Sequence, residues 1–192
     1  MMRTLKYLLT VLFAMTSGIA VSQSLDPAQL LKPNTDSWPT YSGDYSGRRY
    51  STLTQVNQAT VKNLSLAFVS RLQAGPQGPP GTPPVIVAGE GKGEFNTPAS
   101  IRGSILQVDG VLYIATPDNA WAIDARDGHE IWHYYWRTKG GTHIGNRGMA
   151  IWKTWVYMET PDNYLICLDA KTGKEKWHKE IASFAEQYFS TM

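Results

Sequence analysis

From residue 101 onward the chain alternates short apolar runs with turn-forming residues, a rhythm of β-strands rather than helices. Residues 111–116 (VLYIAT) and 156–160 (VYMET) are rich in β-branched and aromatic side chains, and each run meets a Pro-Asp-Asn turn that reverses the chain. Second strands follow at 120–124 and 164–169. Gly128 and Gly173 permit the next turns, and a further run in each half carries Trp132 or Trp177. With 101–107 ahead of one set and 148–152 ahead of the other, the pattern predicts two antiparallel units of four strands. Upstream, residues 64–72 (LSLAFVSRL) are another strand candidate. The Pro/Gly run at 75–84 (GPQGPPGTPP) cannot supply ladder donors and is expected as an exposed surface loop.

The two units are copies of one another. Residues 111–132 read VLYIATPDNAWAIDARDGHEIW, and residues 155–177 read WVYMETPDNYLICLDAKTGKEKW. The TPDN elements at Thr116 and Thr160 are 44 residues apart, whereas the D-A-x-x-G-x-E-x-W elements end 45 apart, so one extra residue lies between them. A period near 45 made of short strands matches β-propeller blades better than helical repeats, which sets the fold class as all-β. A flat indole at a fixed place in the outer strand suits burial between blades. Cys167, the only cysteine, takes the place of Ala122 two residues before the repeat's Asp, so a buried packing role is expected and no internal disulfide is possible.

The N-terminal segment has a different character. Arg3 and Lys6 precede an apolar stretch from Tyr7 to Met15, and Ala20-Val21-Ser22 fits a small-residue cleavage site before Gln23. The stretch is shorter than the about 20 residues a spanning helix needs, so residues 1–22 read as a secretory signal peptide. Residues 23–63 follow as a polar leader, and 64–192 hold the repeats, with units at about 101–136 and 147–181 and a third starting at 182–192. The whole chain has 18 Lys and Arg against 16 Asp and Glu; without the signal both counts are 16, which gives no electrostatic case for nucleic acid or an anionic membrane. His143 has no second ligand at metal spacing, and His129, His133 and His178 lie on or beside outer strands and are expected to be solvated.

These residues resemble the quinoprotein, or PQQ-dependent, alcohol dehydrogenases. The segment Ala122-x-Asp124-x-x-Asp127-Gly128-x-x-x-Trp132 is similar to that family's tryptophan-docking motif, and its second copy differs by having Cys167 in the Ala place. The run WPTY at 38–41, the GDYSGRRYS that follows at 43–51 and LTQVN at 53–57 resemble the family's opening. Residues 141–150 (GTHIGNRGMA) resemble the segment containing a PQQ-binding arginine. The resemblance implies an eight-bladed propeller, of which this chain holds about two blades plus, at 64–72, the outer strand of the last one. It implies PQQ with Ca²⁺ or a lanthanide in the axial funnel, and oxidation of a small alcohol to an aldehyde or ketone, with electrons passing to a periplasmic cytochrome c. The metal ligands and the catalytic base are expected in the remainder of the propeller.

Residue by residue, the resemblance makes Arg147 the arginine that grips a PQQ carboxylate with its guanidinium fork. Gly145 matches a backbone contact beside it, Asn146 shapes that turn, and Thr160 matches a hydroxyl that bonds PQQ. Thr116 occupies the same repeat place as Thr160, so a turn role for Thr160 stays open. Two positions depart from the family. Gly141 and Thr142 stand where many members carry adjacent cysteines bonded over the PQQ ring. Arg102 stands where members place a Glu near the cofactor; it would offer PQQ a second cation, while an offset alignment would use Glu94. A propeller-repeat scaffold without redox chemistry, or an inactive truncated product, is the alternative to part of an enzyme.

Overall fold

A computed structural model of the chain describes residues 24–93, 100–143 and 145–186. The strands β1 (Ile86–Ala88), β2 (Leu106–Val108), β3 (Val111–Thr116), β4 (Asn119–Asp124) and β5 (Glu130–Trp136) make one sheet in the spatial order β1-β5-β4-β3-β2. A second sheet follows in sequence order: β6 (Ala150–Trp152), β7 (Trp155–Glu159), β8 (Tyr164–Asp169) and β9 (Glu175–Glu180). Each repeat is thus the expected four-stranded meander, one propeller blade. The extra residue of the second copy sits in its TPDN turn. Thr116 pairs directly with Asn119, whereas the second ladder stops at Glu159 opposite Leu165 and leaves Thr160 to Tyr164 outside it.

Two upstream expectations change. Residues 64–72 form no strand, because no partner lies alongside them among the described residues. The segment instead crosses the β4–β5 turn, where Phe68 fills the space beside Gly128 and the Ser70 hydroxyl donates to the Gly128 carbonyl. The Pro/Gly run is irregular as expected, but only its Pro76, Gln77, Pro80, Gly81 and Pro84 are exposed and Gly75 is buried, and it leads into β1, which pairs in parallel with β5. That strand is too short, and its partner too distant in sequence, for local alternation to disclose it.

The blades are joined by aromatic side chains of β5. The Trp132 indole donates to the Ala170 carbonyl at 2.9 Å and lies over Gly173, where a Cβ would come within 2.6 Å of its ring. Trp136 donates to Asp162 at 3.0 Å and packs on Tyr164. Tyr113, Tyr134, Met158, Ile166 and Leu168 complete this interface, whose residues are almost wholly removed from water. Cys167 is buried opposite Trp177, as Ala122 is opposite Trp132, and burial raises its thiol pKa, which disfavours the thiolate. The leader contributes too: Leu25 and Leu30 enter the same core, Leu25 bridges to Lys153, and Trp38 exchanges backbone hydrogen bonds with Gln107.

The other face of the first blade carries Ile114, Trp121 and Ile123, with Leu72 against them. His133 lies on this face and is fully buried, which overturns its expected solvation. Its ring stacks on Trp121 at 4.7 Å, and Nε2 meets the Asn119 side-chain oxygen at 2.9 Å. The same oxygen accepts from Gly75 N, so the start of the Pro/Gly loop covers the position. His129 and His178 are exposed, as expected.

Two measurements test this packing. Gly173→Ala combines a φ of +68° with a ring contact and should cost about 3 kcal/mol. Gly110→Ala, at φ +75° with open space around it, should cost only about 1 kcal/mol; urea denaturation separates the two. Burial lowers the His133 pKa to about 4, so the unfolded chain takes up a proton that the folded chain refuses. Stability should therefore fall as pH drops from about 6.5 to about 4 and then level off. His133→Gln should remove that part of the pH dependence.

Candidate functional site

After β5 the chain must return from the outer edge of one blade to the inner strand of the next. It does so through residues 137–149, anchored where Lys139 N donates to Asp162 at 2.9 Å. The return ends against the lead-in to β2. Ser104 N donates to the Arg147 carbonyl at 3.0 Å, and Ser104 bridges Gly148. The approach is so close that a Cβ on Gly103 would lie 2.3 Å from Gly148 N and 2.4 Å from the Arg147 carbonyl carbon. Only glycine fits at 103, and Gly148 has a φ of +124°.

This backbone contact fixes the neighbourhood of the two arginines. Arg102 precedes Gly103 and Arg147 precedes Gly148, so both enter at one rim where the inner strands of adjacent blades begin. The Arg102 side chain runs over Gly145, whose Cβ would lie 3.0 Å from Arg102 Cδ. Both arginines are exposed; Arg102 Nε reaches Ser100 at 3.4 Å, and the Arg147 guanidinium has no ion pair among the described residues. Asn146 is buried and braces the loop from inside: its amide donates to the Glu159 carbonyl at 3.0 Å, and its oxygen accepts from Gly148 N at 2.6 Å.

Thr160 is placed differently. It is fully buried, its hydroxyl donates to Asp162 at 2.6 Å, and it accepts from Tyr164 N at 3.1 Å. It thereby holds the carboxylate that Trp136 and Lys139 also use. Gly141 is buried and Thr142 half-buried; Glu94 lies outside the described residues, as do residues 1–23 and 187–192. Sequence reasoning missed Gly103 and Ser104, whose hydroxyl donates to the Tyr41 carbonyl at 2.9 Å and ties the leader's WPTY element to the rim. A small-residue pair after Arg102 was the available signal. Asp124, Asp127 and His129 have ligand atoms within 4.8 Å of one another, but Arg126 grips Asp124 and His129 pairs with Asp127.

Chemically, the rim is a place for anions: two guanidinium groups, bare glycine backbone between them, and packed blades behind. Sheets of this form, two four-stranded meanders packed through aromatic side chains, define a propeller-repeat protein. The family model for the glucose/ethanol/alcohol dehydrogenase β-propeller domain, named for PQQ, matches residues 38–187, and the chain belongs to that family. It is 37% identical over 155 residues to the quinohemoprotein alcohol dehydrogenase of Comamonas testosteroni, covering 76% of this chain and 18% of that one. It is 35% identical over 183 residues to the dehydrogenase subunit of the alcohol dehydrogenase (quinone) of Gluconacetobacter polyoxogenes, covering 88% of this chain and 22% of the relative. The crystal structure of the Comamonas testosteroni enzyme superposes with a TM-score of 0.63 at 32% identity, over 84% of this chain and 22% of that one. The chain therefore spans about a fifth of the length of these relatives.

Substitutions distinguish bracing from exposed roles at the rim. Asn146→Ala leaves buried backbone groups unpaired and should cost about 2 kcal/mol. Arg147→Ala should stay within about 0.5 kcal/mol of the parent. Thermal or urea unfolding reads both.

Proposed function

We propose that this chain supplies one wall of the PQQ site of an exported alcohol dehydrogenase. The observation that carries the reading is that the Arg102 side chain lies over Gly145, two residues before Arg147, while the Arg147 backbone meets Gly103 at the rim where two inner strands begin. PQQ is a flat quinone bearing several carboxylates, and this donor set fits it. Bound there, PQQ would supply the two-electron acceptor for alcohol oxidation. The chain's own part is binding and orientation. Arg147 takes a carboxylate through its fork, Arg102 adds a second cation from the neighbouring blade, and Gly145 lets the ligand approach the backbone. Asn146 and Thr160 act from behind, one bracing the loop and the other holding Asp162.

A Ca²⁺ or lanthanide ion is a different matter. Among the described residues no group of carboxylates stands beside the arginines, so nothing here fits the ion and no step is assigned to it. Transfer of electrons to a cytochrome c in the periplasm, and a small alcohol as substrate, complete the proposal at the level of the whole enzyme. The relatives' names support the alcohol dehydrogenase reading, and one relative, a 1-butanol dehydrogenase (cytochrome c) of Thauera butanivorans, supports the electron acceptor.

PQQ titration followed by tryptophan fluorescence tests the wall. Arg147→Gln and Arg102→Gln should each weaken binding about 10–100-fold, the usual worth of a charge-assisted hydrogen bond. If PQQ does not bind, or if both variants bind it equally well, the scaffold reading takes over.

A further inference from the structure

The two TPDN turns differ where each blade meets the chain that precedes it. In the first repeat Thr116 pairs with Asn119, so Asn119 stands in the ladder, opposite Tyr135. In the second repeat the extra residue pushes the ladder on, and Tyr164 takes that place, opposite Glu180. Thr160 to Tyr164 then form a wider turn. Thr160 N donates to the Tyr164 carbonyl, Tyr164 N donates to the Thr160 hydroxyl, and Asn163 has a φ of +68°.

Each turn captures one backbone amide of the preceding chain. Phe68 covers Gly128 as Trp132 covers Gly173, so Gly75 and Lys139, each seven residues beyond its aromatic, are counterparts. Gly75 N donates to the Asn119 side-chain oxygen and Lys139 N donates to Asp162, both at 2.9 Å. The added residue thus moves the capturing role from the Asn of the motif to its Asp. An amide offers one acceptor oxygen, and that of Asn119 serves both Gly75 N and His133 Nε2. A carboxylate offers two. Asp162, fully buried, accepts from the Trp136 indole, the Thr160 hydroxyl and Lys139 N together.

What is held differs as well. Gly75 begins the Pro/Gly loop, whereas Lys139 stands near the start of the return that leads to Arg147. The second turn also grips the far end of that return, because the Asn146 amide donates to the carbonyl of Glu159, next to Thr160. With Lys139 and Asn146 both fixed, the Arg147 carbonyl meets Ser104 N and its side chain stays exposed at the rim.

We propose that the one-residue lengthening of the second turn sets Asp162 on the return segment and makes it the positioning residue for Arg147. Its consequence for PQQ rests on the reading of Arg147 given above. Amide hydrogen exchange on the full chain, followed by NMR, is the test, with PQQ affinity beside it. Asp162→Asn keeps the shape but turns an NH₂ toward one of the three donors. The Lys139, Gly148 and Ser104 amides should then exchange at least about tenfold faster, as expected for losing a hydrogen bond to a charged group. Tyr113 and Ile166, in β3 and β8, should keep their rates. Tyr134→Phe breaks the Tyr134–Glu175 bond of the same interface and should leave those three amides unchanged. PQQ should bind Asp162→Asn about 3–30-fold more weakly, and Tyr134→Phe as tightly as the parent. Should Asp162→Asn not fold, Thr160→Val, which removes one of the carboxylate's donors, should give the same pattern. Faster exchange at Lys139 alone, equal responses in the Asp162 and Tyr134 variants, or undiminished PQQ affinity in Asp162→Asn would overturn the proposal. Failure of the parent chain to bind PQQ would overturn the cofactor reading instead, and exchange at Gly148 and Ser104 would still decide the role of Asp162.

Discussion

Everything in this structure depends on an indole held against a glycine turn. Trp132 reaches from the outer strand of one blade to the Ala170 carbonyl of the next, and Gly173 leaves room for its ring. The contact couples a large apolar burial to a directed hydrogen bond, so it sets both spacing and orientation between sheets. Asp162 then adds polar cross-links from Trp136, Lys139 N and Thr160. These bonds fix where the chain turns back toward the next inner strand. Arg147 sits at the end of that return, so its position follows from packing at the far edge of the blade.

Much of this was legible because it is periodic. The 44- and 45-residue spacings aligned the units, and the alternation inside each unit gave its strands. Cys167 could be placed by its equivalence to Ala122. Features that depend on distant partners were not legible. β1 pairs in parallel with a strand far along the chain, and parallel pairing leaves no short hairpin signal. Residues 64–72 had strand-like composition, but a ladder needs a neighbour. His133 was misjudged because the loop segment that covers it begins at Gly75, well outside its own repeat.

The candidate site divides along the same line. Arg147 was recognisable from the GNRG segment, and Arg102 from counting back along its strand. That the two flank one backbone contact at Gly103 and Gly148 was not visible, since it joins different blades. Thr160 shows the reverse: its repeat position was read correctly, while its hydroxyl turned out to be committed inward to Asp162. Spacing reveals which residues recur, and the three-dimensional contacts reveal which of them keep a free functional group.

The leader's path has a consequence for how the chain assembles. Ser24 bonds the side chain of Asp109 across 85 positions, and Leu25 bridges to Lys153 in the second blade. Contacts of such long range close slowly, because the loop entropy must be paid before they form. The first described residues therefore have nowhere to dock until the hairpins of both repeats exist. Although synthesised early, they can take up these contacts only with both repeats present, as a strap drawn across a pair of blades.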